Sequence, residues 1–83
     1  MYLHLGQGSV VPRSDVIGIF DLDNTTGSTI TRRFLGEAEK SGRVVDVSGE
    51  LPNAFIVCDG MKVYLSQLTS QTLARRFETM RFD

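Results

Sequence analysis

The chain has 83 residues and a formal net charge of −1, which makes one small domain spanning 1–83 with neither a basic arm nor an acidic tail. Hydrophobic residues are 41% and charged residues 23%, the balance of a soluble globular chain. No apolar run approaches the ~20 residues of a membrane span, and the start lacks the basic and apolar regions of a signal peptide. The single cysteine, Cys58, excludes an internal disulfide framework and suits a reducing cytoplasm.

Met1 to Leu5 alternates, with Leu3 and Leu5 opposite Tyr2 and His4, and so predicts a strand with one buried face. Gly6-Gln7-Gly8 turns the chain towards Val10 and Val11, and Pro12 either ends that strand or marks an edge. Val16 to Leu22 is apolar on both faces: Ile17 and Ile19 on one, Val16, Phe20 and Leu22 on the other. Further strands are expected at Val44 to Val47, Ala54 to Cys58 and Met61 to Leu65. Asp59-Gly60 between the last two is a two-residue hairpin signal, and Leu51-Pro52-Asn53 reads as a loop.

The spacing predicts a first helix from Ser28 or Thr29, closed by Gly42. At ~100° per residue, Ile30, Phe34, Leu35 and Ala38 share one side, with Arg32, Arg33, Glu37, Glu39 and Lys40 on the other. A second helix opens after Leu68 with Thr69 as N-cap. Leu68 and Leu73 then occupy the two positions of a hydrophobic staple. Leu73, Ala74 and Phe77 are expected in the core, and Arg75 and Arg76 outside it. The phrases "TITRRF" and "TLARRF" place two adjacent arginines beside a core phenylalanine in each helix. These pairs are either solvated arginines whose stems cover apolar surface or phosphate contacts. Together the elements predict an α+β fold, a small, mostly antiparallel sheet of about six strands with two helices.

"GIFDLDNTT", residues 18–26, resembles the nucleophile motif of the haloacid-dehalogenase phosphatases, with Asp21 as nucleophile and Asp23 as proton shuttle around magnesium. That chemistry needs a doubly wound sheet built from βαβ units of ~30 residues each, more than this chain holds. Asp21 and Asp23 are therefore expected to be structural. The lone His4 has no metal-binding partner in the pattern, and neither a metal nor a cofactor is expected.

Strands that are apolar on both faces need cover on both. Two short helices are expected to cover only one, so the second face calls either for a further copy of the chain or for the sheet folding over on itself. A homo-oligomer is the favoured expectation.

"MYLHLGQGSVVPRSDVIGIFDLDN", "LPNAFIVCD" and "VYLSQLTSQTLARRF" resemble the RemA/RemB family of bacterial extracellular-matrix regulators, most of all its RemB branch. The likeness runs from Met1 to Phe77 in the same order. It implies a cytoplasmic, non-enzymatic regulator of biofilm-matrix genes, with a small α+β subunit that binds DNA as a ring-shaped homo-oligomer. Two departures limit the transfer. RemA-like chains carry an arginine before the long apolar strand, where this chain has Asp15. They also carry an arginine-rich loop where it has Glu50-Leu51-Pro52-Asn53.

The candidate phosphate-binding residues are therefore this chain's own: Arg13, Arg32, Arg33, Arg43 and Lys62, with Arg75 and Arg76 as a second cluster. No helix-turn-helix pattern, zinc ligand set or aromatic stacking motif supplies base reading. The expected partners are further copies of the chain together with double-stranded DNA. An adaptor that binds a RemA-like protein without touching DNA is the alternative.

Overall fold

The structure, a computed structural model, describes residues 1–22, 29–49 and 51–79. Strands β1 (Tyr2–Gly6) and β2 (Ser9–Pro12) form an antiparallel hairpin and a sheet of their own. Then follow β3 (Val16–Asp21), helix α1 (Thr29–Lys40), β4 (Val44–Asp46), β5 (Ala54–Cys58), β6 (Lys62–Ser66) and helix α2 (Ser70–Thr79). The second sheet has the order β3-β5-β6-β4, antiparallel except for the parallel β4–β6 pair. The fold is α+β, with six strands and two α-helices among the described residues.

All five residues of β5 are buried because it is an inner strand with cover on both faces. Ala54, Ile56 and Cys58 point to one side and join Leu3, Leu5, Val11 and Leu73. Phe55 and Val57 point to the other and join Ala38 and Val63, with Phe34 and Leu35 of α1 packed on them. The two helices thus lie on opposite faces, and the β1–β2 hairpin fills the face beside α2. Both faces of β5 are covered within the chain, one by each helix, which corrects the expectation that two helices reach only one; the α1 side of terminal strand β3 is left open at Ile17 and Phe20. The period of β1 reads true, since Leu3 and Leu5 are buried while Tyr2 and His4 are exposed.

Local signals set the helix ends. Gly42 adopts φ 72°, a left-handed conformation suited to glycine. Its N–H donates to the Glu39 carbonyl (3.1 Å), and the Arg43 N–H donates to the Ala38 carbonyl (2.8 Å), the paired bonds of a Schellman motif. At α2 the Thr69 hydroxyl accepts from the Thr72 N–H at 3.2 Å. Leu68 packs against the cluster that holds Leu73, which completes the staple. Ala74, expected in the core, is exposed.

Two strand expectations need correction. The β5–β6 turn takes three residues, Asp59 to Met61, rather than two. Met61 sits at φ 61° in the turn, and Lys62 is the first residue paired, opposite Cys58. In β3 the register shifts between Val16, which faces Cys58, and Gly18, which faces Val57. The extra residue, Ile17, breaks the two-residue period. Val16 and Ile19 therefore pack on the hairpin side, while Ile17 and Phe20 line the α1 side.

Candidate functional site

The bulge leaves a surface feature beside β3, the terminal strand of its sheet. Ile17, Phe20, Ile30, Thr31, Phe34, Phe55, Val57 and Met61 line an open groove of about 320 Å³. Its rim side chains are well exposed: Ile17 63%, Phe20 40%, Ile30 80% and Met61 45%. The Phe20 ring stacks on Phe55, with centroids 5.0 Å apart. It lies over Gly18, where an added Cβ would meet ring carbons at 2.6 and 2.8 Å. Ile30, expected in the core beside Phe34, instead stands on the first turn of α1 at this rim. A groove lined this way, with Thr31 as its one polar residue, offers apolar contact and little hydrogen bonding.

The candidate cations fall into three places. Arg43 and Lys62 come together at the turn end of the sheet. The Arg43 guanidinium donates from Nη1 to the Met61 carbonyl (2.9 Å) and from Nε to the Ser41 hydroxyl (2.9 Å). Its own carbonyl accepts from the Val63 N–H at 2.9 Å, so the two basic residues flank one crossing of β4 and β6. The Lys62 ammonium stands 6.0 Å from the Tyr64 ring centroid. Arg13 belongs to the same end of the sheet, three residues before Val16, but its guanidinium packs on Phe77 of α2. Arg32 and Arg33 are exposed on α1, apart from the others. Arg75 and Arg76 are exposed on α2, with Arg76 donating to the His4 carbonyl at 3.4 Å.

Acidic residues share the turn end. Asp59 accepts its neighbour Gly60 N–H at 3.2 Å. Burial pushes the Cys58 thiol above its ordinary pKa; the Asp15 carboxylate adds to this, and Lys62 opposes it. The thiol is 3% exposed and so is held as a packed neutral group.

The described part of the motif, Gly18 to Asp21, is the end of β3. Asp21 closes β3 and its Oδ2 accepts from the Ser70 hydroxyl at 3.4 Å, tying the strand to the start of α2. Asp23 lies outside the described residues. Among the described residues no three His, Cys, Asp or Glu side chains gather as a metal site would require. No helix among them is long and apolar enough to cross a membrane.

Sequence reasoning named the cations as candidates and did not name the groove. The available signal was Gly18, since a glycine inside a strand pattern often marks a bulge.

The fold and its surface define a small α+β domain that presents an apolar groove beside a terminal strand and a basic pair at the β5–β6 turn, next to the groove's Met61. The chain belongs to the RemA-like family, described as extracellular matrix regulatory protein A-like, whose model matches residues 2–77. It is 38% identical over 80 residues to extracellular matrix regulatory protein B of Bacillus subtilis, covering 96% of this chain and 94% of that one. It is 32% identical over 82 residues to a protein of Desulfotalea psychrophila named "Putative regulatory protein", covering 98% of this chain and 70% of that one. A Desulfatibacillum aliphaticivorans protein of the same name is 32% identical over 80 residues, covering 95% and 85%. The names of these relatives support a regulatory role.

Proposed function

We propose that this protein is a cytoplasmic, non-enzymatic regulator of biofilm-matrix gene expression that binds double-stranded DNA as a homo-oligomer. Arginine and lysine contacts to phosphates carry the binding. The observation behind this reading is the juxtaposition of Arg43 and Lys62 at one end of the sheet in a chain of a regulatory family. Arg13, and Arg32 and Arg33 on α1, are further candidate contacts that lie apart from this pair. One subunit offers few phosphate contacts, and its turn end also carries Asp15 and Asp59. Useful affinity therefore comes from several subunits held together, which raises the effective concentration of each site.

The interleaved acids favour a second reading, an oligomeric adaptor that binds a protein such as a RemA-like relative. Titration of the purified protein onto long duplex DNA at low and moderate salt separates the two. Binding at low salt that weakens steeply with added salt is expected. No binding at low salt by the intact oligomer would hand the function to the adaptor.

A further inference from the structure

We propose that the groove beside β3 binds a free straight-chain carboxylic acid, with its hydrocarbon chain in the groove and its carboxylate on Arg43. This site is independent of the proposed function.

The groove is concave as well as apolar. Phe55 and Val57 of the buried strand β5 form its floor, and the Phe20 ring, stacked on Phe55, rises from β3. An apolar cavity of ~150 Å³ accepts one benzene, a body of six carbons. At about 320 Å³ the groove takes roughly twice that, ten to twelve carbons. A folded partner resting on the rim would leave this volume empty, and the lining of a void has no atoms to touch. A flexible hydrocarbon chain fills it.

The lining residues carry no formal charge, but a fixed cation stands at one end. Met61 lines the groove, and its carbonyl accepts from Nη1 of Arg43 at 2.9 Å. Nε of the same guanidinium donates to the Ser41 hydroxyl at 2.9 Å, which straps the group between the end of α1 and the turn. These bonds use two of the five guanidinium N–H donors. The others suit a carboxylate at the Met61 end, in a charge-assisted contact with a side chain whose geometry is already set. Asp59 of the same turn is folded back on the Gly60 N–H. An apolar lining with one placed charge at its end is the composition of a small-molecule site, here for an amphiphilic anion.

The test is calorimetric titration of the full chain with decanoate below its micelle-forming concentration. Decanol serves as the uncharged chain and hexanoate as the short acid, with light scattering to follow mass and circular dichroism to follow the fold. Saturable binding of one decanoate per chain is expected, with hexanoate at least tenfold weaker for want of four buried methylenes. Arg43→Gln should weaken decanoate about tenfold and leave decanol unchanged, so that the preference for the acid disappears. Ile17→Asp, at an exposed rim position, should weaken both ligands, and Val10→Asp on the hairpin neither. If Ile17→Asp does not fold, the comparison of acid and alcohol on wild type and Arg43→Gln still decides. No saturable decanoate binding overturns the proposal, and so does equal binding by Arg43→Gln. Binding to phosphatidylglycerol vesicles in place of the free acid overturns it in favour of a lipid surface. Decanoate that lowers the mass of an oligomer overturns it in favour of a contact between chains. Failure on decanoate by a protein that binds DNA leaves the proposed function standing.

Discussion

Arg13 and Phe77, 64 positions apart in the sequence, are in direct contact. The Arg13 guanidinium carbon lies 4.3 Å from the centroid of the Phe77 ring, and its Nε donates to the Phe77 carbonyl at 3.3 Å. The segment leaving β2 is thereby fastened to α2. Arg13→Ala removes a cation–π contact and a charged hydrogen bond and should cost about 1–2 kcal/mol in urea denaturation. Arg13→Lys keeps the charge but loses the planar fork, so it should fall between the two. A loss of DNA binding in Arg13→Ala with no loss of stability would mean the guanidinium serves phosphate rather than Phe77.

Ser66 makes the corresponding joint between the sheets. The β1–β2 register shifts between His4 and Gly6, and the Leu5 carbonyl within that shift accepts from the buried Ser66 hydroxyl at 2.7 Å. The Ser66 hydroxyl oxygen in turn accepts from the Leu68 N–H at 3.1 Å, just before α2. Ser66→Ala strips both partners at a site without solvent and should destabilise by about 1–3 kcal/mol. Ser66→Thr is no rescue, because its extra methyl has no room in a fully buried position. Equal midpoints for wild type and Ser66→Ala would contradict this role.

These joints explain what was legible in the sequence. Features decided by neighbours in the chain could be read: the alternation around Leu3 and Leu5, the Gly42 stop, the Leu68-Thr69-Leu73 start of α2. Features decided by distant segments could not. The faces of β3 depend on how Ile17 meets β5, and one unpaired residue there exchanged the expected sides of Val16 and Ile17, while Ile19 stays opposite Phe20 and Leu22. Ile30 has the right helical period for the core, yet the first turn of α1 stands at the rim by terminal strand β3 and leaves it exposed. The placing of one helix on each face is likewise non-local. For the site, residue type identified the cations, but only the β4–β6 pairing brings Arg43 to Lys62.

Asp46 ends β4 and receives both the Ser48 hydroxyl (2.6 Å) and the Ser48 N–H (2.9 Å) on Oδ1. These bonds, the hydroxyl first, hold its pKa below the ordinary carboxylate value against a small opposing desolvation. A lowered folded pKa contributes stability above the unfolded value and loses it as pH falls through the folded value. Asp46→Asn should therefore be less stable than wild type at pH 7, with the gap closing as pH falls into and below the ordinary carboxylate range. Urea denaturation across that range checks it. A gap that widens at low pH would contradict the sign.

The Asp21 motif yields a negative expectation. With its carboxylate tied to Ser70, the protein should release no phosphate from small phosphate esters with magnesium present. Turnover that vanishes in Asp21→Asn would establish the phosphatase chemistry that the motif suggests.

The DNA-binding proposal makes its sharpest prediction at Arg43 and Lys62. Each phosphate neutralised releases condensed counterions, so the log–log slope of affinity against salt is roughly −0.9 per contact. Removing one contacting cation should flatten that slope by about one unit for each subunit on the DNA, and should weaken binding alike on unrelated sequences. Arg43→Ala also frees the Met61 carbonyl, so Arg43→Lys is needed to separate charge from turn geometry. Lys62→Ala leaves the backbone pairing with Cys58 untouched and is the cleaner variant. Arg32→Ala/Arg33→Ala should act in the same direction from α1. The Arg75→Ala/Arg76→Ala pair on α2 serves as the comparison and should have the smaller effect. Fluorescence titrations at several salt concentrations, with the oligomer mass checked for every variant, measure all of these. Unchanged slopes in both Lys62→Ala and Arg43→Lys would remove the turn end of the sheet as the phosphate-binding surface.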